Sequence, residues 1–300
     1  MTKRLPLFRK RGLKDDRLLA TALLAPALLY IVCVMVIPFA WAIWSSLTNK
    51  TVGVAGEFVG LENYIDLLRD PRFLNSVWKT ILYTGSCLFF KTILGVAVAL
   101  VLHQKLPCKG LFRALLILPW TLPTVVTVLL WKWLFSDVGG VFNYILMQMH
   151  VVDSMVPWLS DKTMAMVAAV MVDVWRGTPF IAISVLAGLQ TISYDLYEAA
   201  EIDGANMVQR FLSITLPSIM GVLTIAMLVS TVWTLNGFEL IWLLTGGGPS
   251  GATETIALYS YTTGFLENNL SKSIAVSVLS MPIIILLVEK ITKLSAHTDS

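Results

Sequence analysis

Long apolar runs separated by short polar stretches fill the chain from residue 18 to residue 291. Six runs reach the roughly 20 residues that a helix needs to cross the hydrocarbon core of a bilayer. They cover residues 18–44, 78–102, 112–135, 163–189, 217–244 and 273–291. All are rich in Leu, Val, Ile and Ala, and none shows the alternation over about 10 residues expected of a membrane β-strand. The pattern predicts an all-α integral membrane protein with six transmembrane helices. Between the runs, residues 45–77 hold an amphipathic stretch at 61–68, and Gly246-Gly247-Gly248-Pro249 stops the fifth run sharply.

Composition supports lipid as the solvent. Of 300 residues, 56% are apolar and only 14% charged, with a mean hydropathy of +0.76. A water-soluble fold has too little polar surface to cover such a chain. The net charge of +3 gives no footing for nucleic acid. Its distribution is more telling, because Lys and Arg gather on the cytoplasmic side of membrane proteins. Lys3, Arg4, Arg9, Lys10, Arg11, Lys14 and Arg17 crowd the tail at 1–17, whereas the opposite loops carry only Lys50, Arg69, Arg72, Lys162 and Lys272. With six spans, both termini (1–17 and 292–300) are expected in the cytoplasm. Trp41, Trp44, Trp131, Trp133, Trp158 and Trp242 lie toward the other face, as an aromatic belt would. Cys33, Cys87 and Cys108 form no CxxC pair, and the first apolar run is too long for the core of a cleavable signal.

One inward loop, residues 191–216, is neither basic nor low in complexity. Asp195 is placed to cap a short helix through Ala200 and Asp203, with Ala199 and Ala200 leaving a flat, small-sided face. Gly204 permits a turn with φ > 0, a second helix follows over about 206–213, and Pro217 suits the first turn of the fifth span. The product is a helix-turn-helix knob with an acidic edge of Glu198, Glu201 and Asp203. Alone, this reads equally as an ordinary interfacial loop.

The spacing Glu198-Ala199-Ala200, Gly204, Ile214-x-Leu216-Pro217 resembles the EAA loop of binding-protein-dependent ABC importer permeases. Gly60-Leu61-x-Asn63-Tyr64, Leu118-Pro119-Trp120-x-x-Pro123, Val174-Trp175-Arg176-x-Thr178-Pro179-Phe180 and Leu244-Thr245-Gly246-Gly247-Gly248-Pro249 resemble its carbohydrate branch, the maltose-transporter MalF-like first subunit of the permease pair. The resemblance implies a MetI-like six-helix bundle in the cytoplasmic (inner) membrane. It also implies a coupling set of Glu198, Ala199, Ala200, Asp203 and Gly204 that docks on an ATPase. The implied partners are a second homologous permease in a heterodimer, two ATP-binding subunits, an extracytoplasmic solute-binding protein and a sugar. No P-loop occurs here, so ATP and Mg²⁺ are expected on the partners, with no cofactor, metal or catalytic residue in this chain.

Polar residues inside spans are costly and point to function. Lys91, Asp173, Arg176, Asn236 and Glu239 qualify, while Lys79 and Lys132 lie close enough to the interface to snorkel. Asp173 and Arg176, at i,i+3, can pair with each other, and Lys91 can reach Glu239; either pair reads as structural or as substrate-binding. The resemblance carries the sugar path onto Trp120 and Thr124, onto Asp173, Trp175, Arg176 and Gly177, and onto Ser230, Thr234 and Gly237, beside Asn236 and Glu239. Asp173, Thr234 and Gly237 stand where relatives can have amides, which leaves the sugar open. Arg176 keeps an anionic substrate in view, such as glycerol 3-phosphate or a uronide. An ion-driven transporter would explain the charges but not the EAA spacing, and no His, Cys or Ser constellation supports an intramembrane enzyme.

Overall fold

The computed structural model describes residues 13–104 and 106–298. The basic tail expected over 1–17 therefore lies, through residue 12, outside the described residues, as do Asp299 and Ser300 of the other tail. In chain order the elements are α1 (Leu13–Ile31), a π turn at Val32–Val36, α2 (Ile37–Ser46), α3 (Glu62–Arg69), α4 (Pro71–His103), α5 (Lys109–Thr121), α6 (Thr124–Leu134), α7 (Val141–Gln148) and α8 (Lys162–Leu189). Then come α9 (Tyr194–Ile202), α10 (Met207–Arg210), a π turn at Phe211–Thr215, α11 (Leu216–Leu235), α12 (Phe238–Leu244), α13 (Ile256–Tyr261), a π turn at Thr262–Leu266 and α14 (Leu270–Thr298). Among the described residues no β-strand forms.

Four stretches are long and apolar enough to cross a bilayer: Leu23–Ser46, Pro71–His103, Lys162–Leu189 and Met207–Leu235. The third expected span, 112–135, is not one straight helix. It divides into α5 and α6, which meet at 96°. The cause is Pro123, whose ring pushes Leu122 out of the helical region to φ −71°, ψ 135°. The fifth expected span, 217–244, likewise stops at Leu235, and Gly237 at φ −71°, ψ 63° turns the chain into the separate α12. The sixth, 273–291, falls inside α14, which continues as helix to Thr298 through the expected tail.

The bundle is built on α4 and α8. Gly95 lets them approach closely, since a Cβ there would lie 2.7 Å from Ile181 Cγ2. Ala99, Leu102, Ile181, Val185, Leu189, Ile219 and Leu223 bury together where α4, α8 and α11 converge. Within lipid such contacts gain little from leaving water, so close packing and polar bonds carry the association. The stretch Leu23–Ser46 packs on α14 through the end of α2, where Ser45 and Ser46 are buried, but leaves large apolar residues such as Leu29, Tyr30, Met35 and Trp41 exposed.

At the end of the bundle where α4 and α8 begin, ion pairs hold the loops. Asp70 caps α4, accepting from the Arg72 amide at 2.9 Å, and also accepts from Tyr259 Oη at 2.6 Å and Lys272 Nζ at 3.1 Å. Arg72 clasps the buried Glu254 with two N–H donors, at 2.9 and 2.6 Å, and also pairs with Glu267. Glu254 closes the glycine-rich turn after α12, where Gly246, Gly247 and Gly251 adopt φ of 61°, 87° and 73°.

Candidate functional site

The knob joins α8 to α11. Its first helix, α9, is capped not by Asp195 but by Ser193, whose Oγ accepts from the Asp195 amide at 3.3 Å. The hydroxyl lies two residues nearer the turn, so Asp195 becomes a first-turn acid, favourable at a helix N-terminus. Gly204 takes φ +77°, as its position between two helices requires. Asn206 and Gln209 then form a reciprocal capping box on α10. The second helix does not end near 213. It widens through the π turn and runs unbroken into α11, and that widening makes room for the ring of Pro217, which has no N–H to give the preceding turn. Two side-chain bonds brace the knob: Arg210–Glu201 at 3.0 Å and Tyr197 Oη–Thr215 Oγ1 at 2.9 Å. Glu198, Ala199, Asp203 and Gly204 are exposed and Ala200 half-buried, with Tyr194, Leu196, Ile202, Met207 and Val208 bare around them.

Midway along α8 a cavity of about 450 Å³ opens between α4, α5, α8, α11 and α12. Trp120, Asp173, Arg176, Gly177, Ser230, Thr234, Asn236, Gly237 and Glu239 all line it. Two expected residues do not. Thr124 is buried at the start of α6, and Trp175 points to the other side of α8, edge-on to Trp131 at 5.6 Å. There it borders a separate apolar groove of about 700 Å³ between α4 and α8 that has Lys79 and Lys162 among its walls.

Neither charge pairing anticipated for the spans forms. Asp173 turns away from Arg176 and meets Lys91 Nζ across the bundle at 2.6 Å. Lys91 in turn donates to Thr234 Oγ1 at 2.9 Å rather than reaching Glu239. The reason lies at Gly177, where a Cβ would sit 2.5 Å from Lys91 Cε. The missing side chain is the slot through which the lysine stem passes. Among the described residues no carboxylate comes within 4.0 Å of Arg176, so its guanidinium faces the cavity without an ion partner.

Phe180 and Trp233 complete the lining, with ring centroids 4.8 Å apart, and Trp120 stands 6.3 Å from Phe180. Of this aromatic wall the candidate residues included Trp120 but neither Phe180 nor Trp233. Its signal was available, because Phe180 follows Arg176 at i+4 and Trp233 follows Ser230 at i+3, on the cavity-facing sides of their helices. Rings beside carboxylate, ammonium, guanidinium and hydroxyl groups suit a polyhydroxylated ligand, whose apolar ring faces stack while its hydroxyls hydrogen-bond.

Comparison with known proteins agrees with this architecture. The profile of the family described as "Binding-protein-dependent transport system inner membrane component" matches residues 91–291. The trehalose/maltose transport system permease protein MalF of Thermococcus litoralis is 39% identical over 240 residues, covering 80% of this chain and 81% of that protein. The sulfoquinovosyl glycerol transport system permease protein SmoG of Agrobacterium fabrum is 34% identical over 278 residues, covering 91% and 90%. Among solved structures, a bacterial ABC transporter that imports the acidic polysaccharide alginate has a chain superposing with a TM-score of 0.79 at 22% identity, over 95% of this chain and 96% of its own, which establishes the shared fold.

Proposed function

Since the chain belongs to the family of inner membrane components of binding-protein-dependent transport systems, we propose that it moves a sugar, a di- or oligosaccharide or a related polyol, by alternating access driven by ATP hydrolysis on a separate subunit. It is a multi-pass inner-membrane permease subunit of a sugar ABC importer. The observation that carries the mechanism is that one pair of helices, α8 and α11, both lines the polar cavity and is joined by the exposed knob. A rigid displacement of the knob therefore acts on the cavity walls without any further linkage.

The full reading has six spans with both termini in the cytoplasm, consistent with the Lys/Arg bias of the chain. Glu198, Ala199, Ala200, Asp203 and Gly204 seat in a cleft of one of two ATP-binding subunits, which hold ATP and Mg²⁺. This chain needs no cofactor of its own. The bare apolar flank of Leu23–Ser46 is suited to a second, homologous permease and to lipid, and an extracytoplasmic binding protein delivers the solute at the opposite end.

A second reading concerns the substrate. The unpaired guanidinium of Arg176 favours an anionic solute such as glycerol 3-phosphate or a uronide, and one relative is named for sulfoquinovosyl glycerol. Reconstitution with the partner subunits and binding protein, assayed on disaccharides, polyols and glycerol 3-phosphate, separates these readings. Uptake should require ATP and the binding protein. Proton- or sodium-driven flux through this chain alone would replace the importer reading with a secondary transporter.

A further inference from the structure

Lys91 lies on α4, outside every motif that pointed to the cavity, yet it engages three of the residues those motifs supplied. Its ammonium is 2.6 Å from Asp173 Oδ2 and 2.9 Å from Thr234 Oγ1, and its stem crosses Gly177. Only 3% of the residue is exposed. An ammonium has three N–H donors, and these contacts use two. The Asp173 carboxylate also faces the Cys87 thiol, a weak donor, and its two oxygens keep lone pairs for a stronger one, since Lys91 and Thr234 both meet Oδ2. Thr234 directs its own hydroxyl to the Ser230 carbonyl at 2.9 Å, so it acts as acceptor toward Lys91 and holds the ammonium in place.

Two further facts argue against a pair that merely neutralises itself. Lys91 and Asp173 both line the cavity rather than being sealed from it. A buried ion pair is also poor as a stabilising device, because desolvation offsets most of its attraction, and apolar residues of similar volume serve as well. What remains open to a ligand is one carboxylate acceptor beside one ammonium donor, flanked by the Phe180 and Trp233 rings.

We propose that Lys91 is a specificity-determining residue and that, with Asp173, it reads two adjacent hydroxyls of a sugar ring. Asp173 Oδ1 accepts from one hydroxyl, the third Lys91 N–H donates to its neighbour, and the aromatic wall covers the ring face. This rests on the reading of the chain as a sugar permease. The selected substrate class is a pyranoside with a free vicinal diol. A site whose buried polar groups would be left unpaired discriminates strongly against a ligand lacking those hydroxyls.

The test uses the complete complex in proteoliposomes and radiolabelled maltose, trehalose and sulfoquinovosyl glycerol. Lys91→Met is compared with the double variant Lys91→Met/Asp173→Asn, which strands no charge and so guards against simple misfolding of the single variant. The double variant should assemble and raise the KM of the transported sugar at least tenfold, with the maximal rate falling less than threefold. An assembled double variant with an unchanged KM overturns the assignment, and one that fails to assemble shows the pair to be structural and overturns it too. The wild-type complex is also assayed on polyols and glycerol 3-phosphate, and ATP-driven uptake of glycerol 3-phosphate alone instead refutes the sugar reading on which the inference stands.

Discussion

Single residues decide what the cavity contains. Gly177 is a glycine because a lysine stem occupies the space of its side chain, and this yields a directional expectation. Gly177→Ala should push Lys91 off Asp173, since the new methyl would lie 2.5 Å from Cε and 2.9 Å from Nζ. Uptake should fall at least tenfold while membrane insertion is retained, and Gly177→Ala/Lys91→Met should lose no more than Lys91→Met alone. Additive losses would show that the glycine acts independently of the lysine. At this scale the sequence was legible in part. Intramembrane charge flagged Lys91, Asp173, Arg176 and Glu239 without alignment, because ions in lipid are expensive. Their pairing was not legible. Helical spacing offers Asp173 and Arg176 to each other, but a cross-bundle bond depends on which helix lies opposite and on the gap left by a glycine.

Elements were legible where hydrophobicity alone governs them, and less so where backbone chemistry intervenes. The runs at 78–102 and 163–189 became α4 and α8 nearly as drawn. The runs at 112–135 and 217–244 broke, since hydropathy carries no information about the residue before a proline or about a glycine turn. The knob was read correctly as two helices about Gly204, but its cap moved from Asp195 to Ser193 and its second helix merged with α11. That merger makes the Tyr197–Thr215 bond a strut between knob and span, because Thr215 is the last residue of the π turn and its hydroxyl also points to the Arg210 carbonyl. Tyr197→Phe removes one hydrogen bond, about 1 kcal/mol. It should leave the complex assembled but raise the ATP consumed per sugar imported, measured as the ratio of phosphate release to uptake. An unchanged ratio would make the strut incidental. Gly204→Val adds no clash, as a Cβ there meets nothing within 4 Å. It should still cost about 1–2 kcal/mol through its φ of +77° and uncouple ATPase activity from uptake. Normal transport by that variant would remove the knob from the mechanism.

For the molecule as a whole, the class of fold was evident from composition, whereas the tie between its far-apart loops was not. Asp70 joins the start of α4 to Tyr259 and to Lys272 of α14, residues distant in sequence that no local pattern connects. Burial alone would raise its carboxyl, but bonds from Tyr259, Lys272 and the Arg72 amide hold it below the ordinary value of 3.8. A carboxyl lowered on folding adds stability that is full above its unfolded value and disappears as pH falls through its folded one. The melting temperature of the purified protein should therefore drop below pH 3.8, with a smaller drop in Asp70→Asn, which can still cap α4. Equal drops in both proteins would show that other carboxylates carry the acid sensitivity.

The two interruptions of the helices have one more consequence. Residues 122–123 and 236–237 interrupt the helical path, although the Asn236 and Gly237 amides still donate to the Val232 and Thr234 carbonyls. Trp120, just before the first, and Gly237, at the second, both border the same cavity. Both kinks thus fall beside the polar cavity, so a solute passing through it meets bent helices, which can flex there more readily than straight ones.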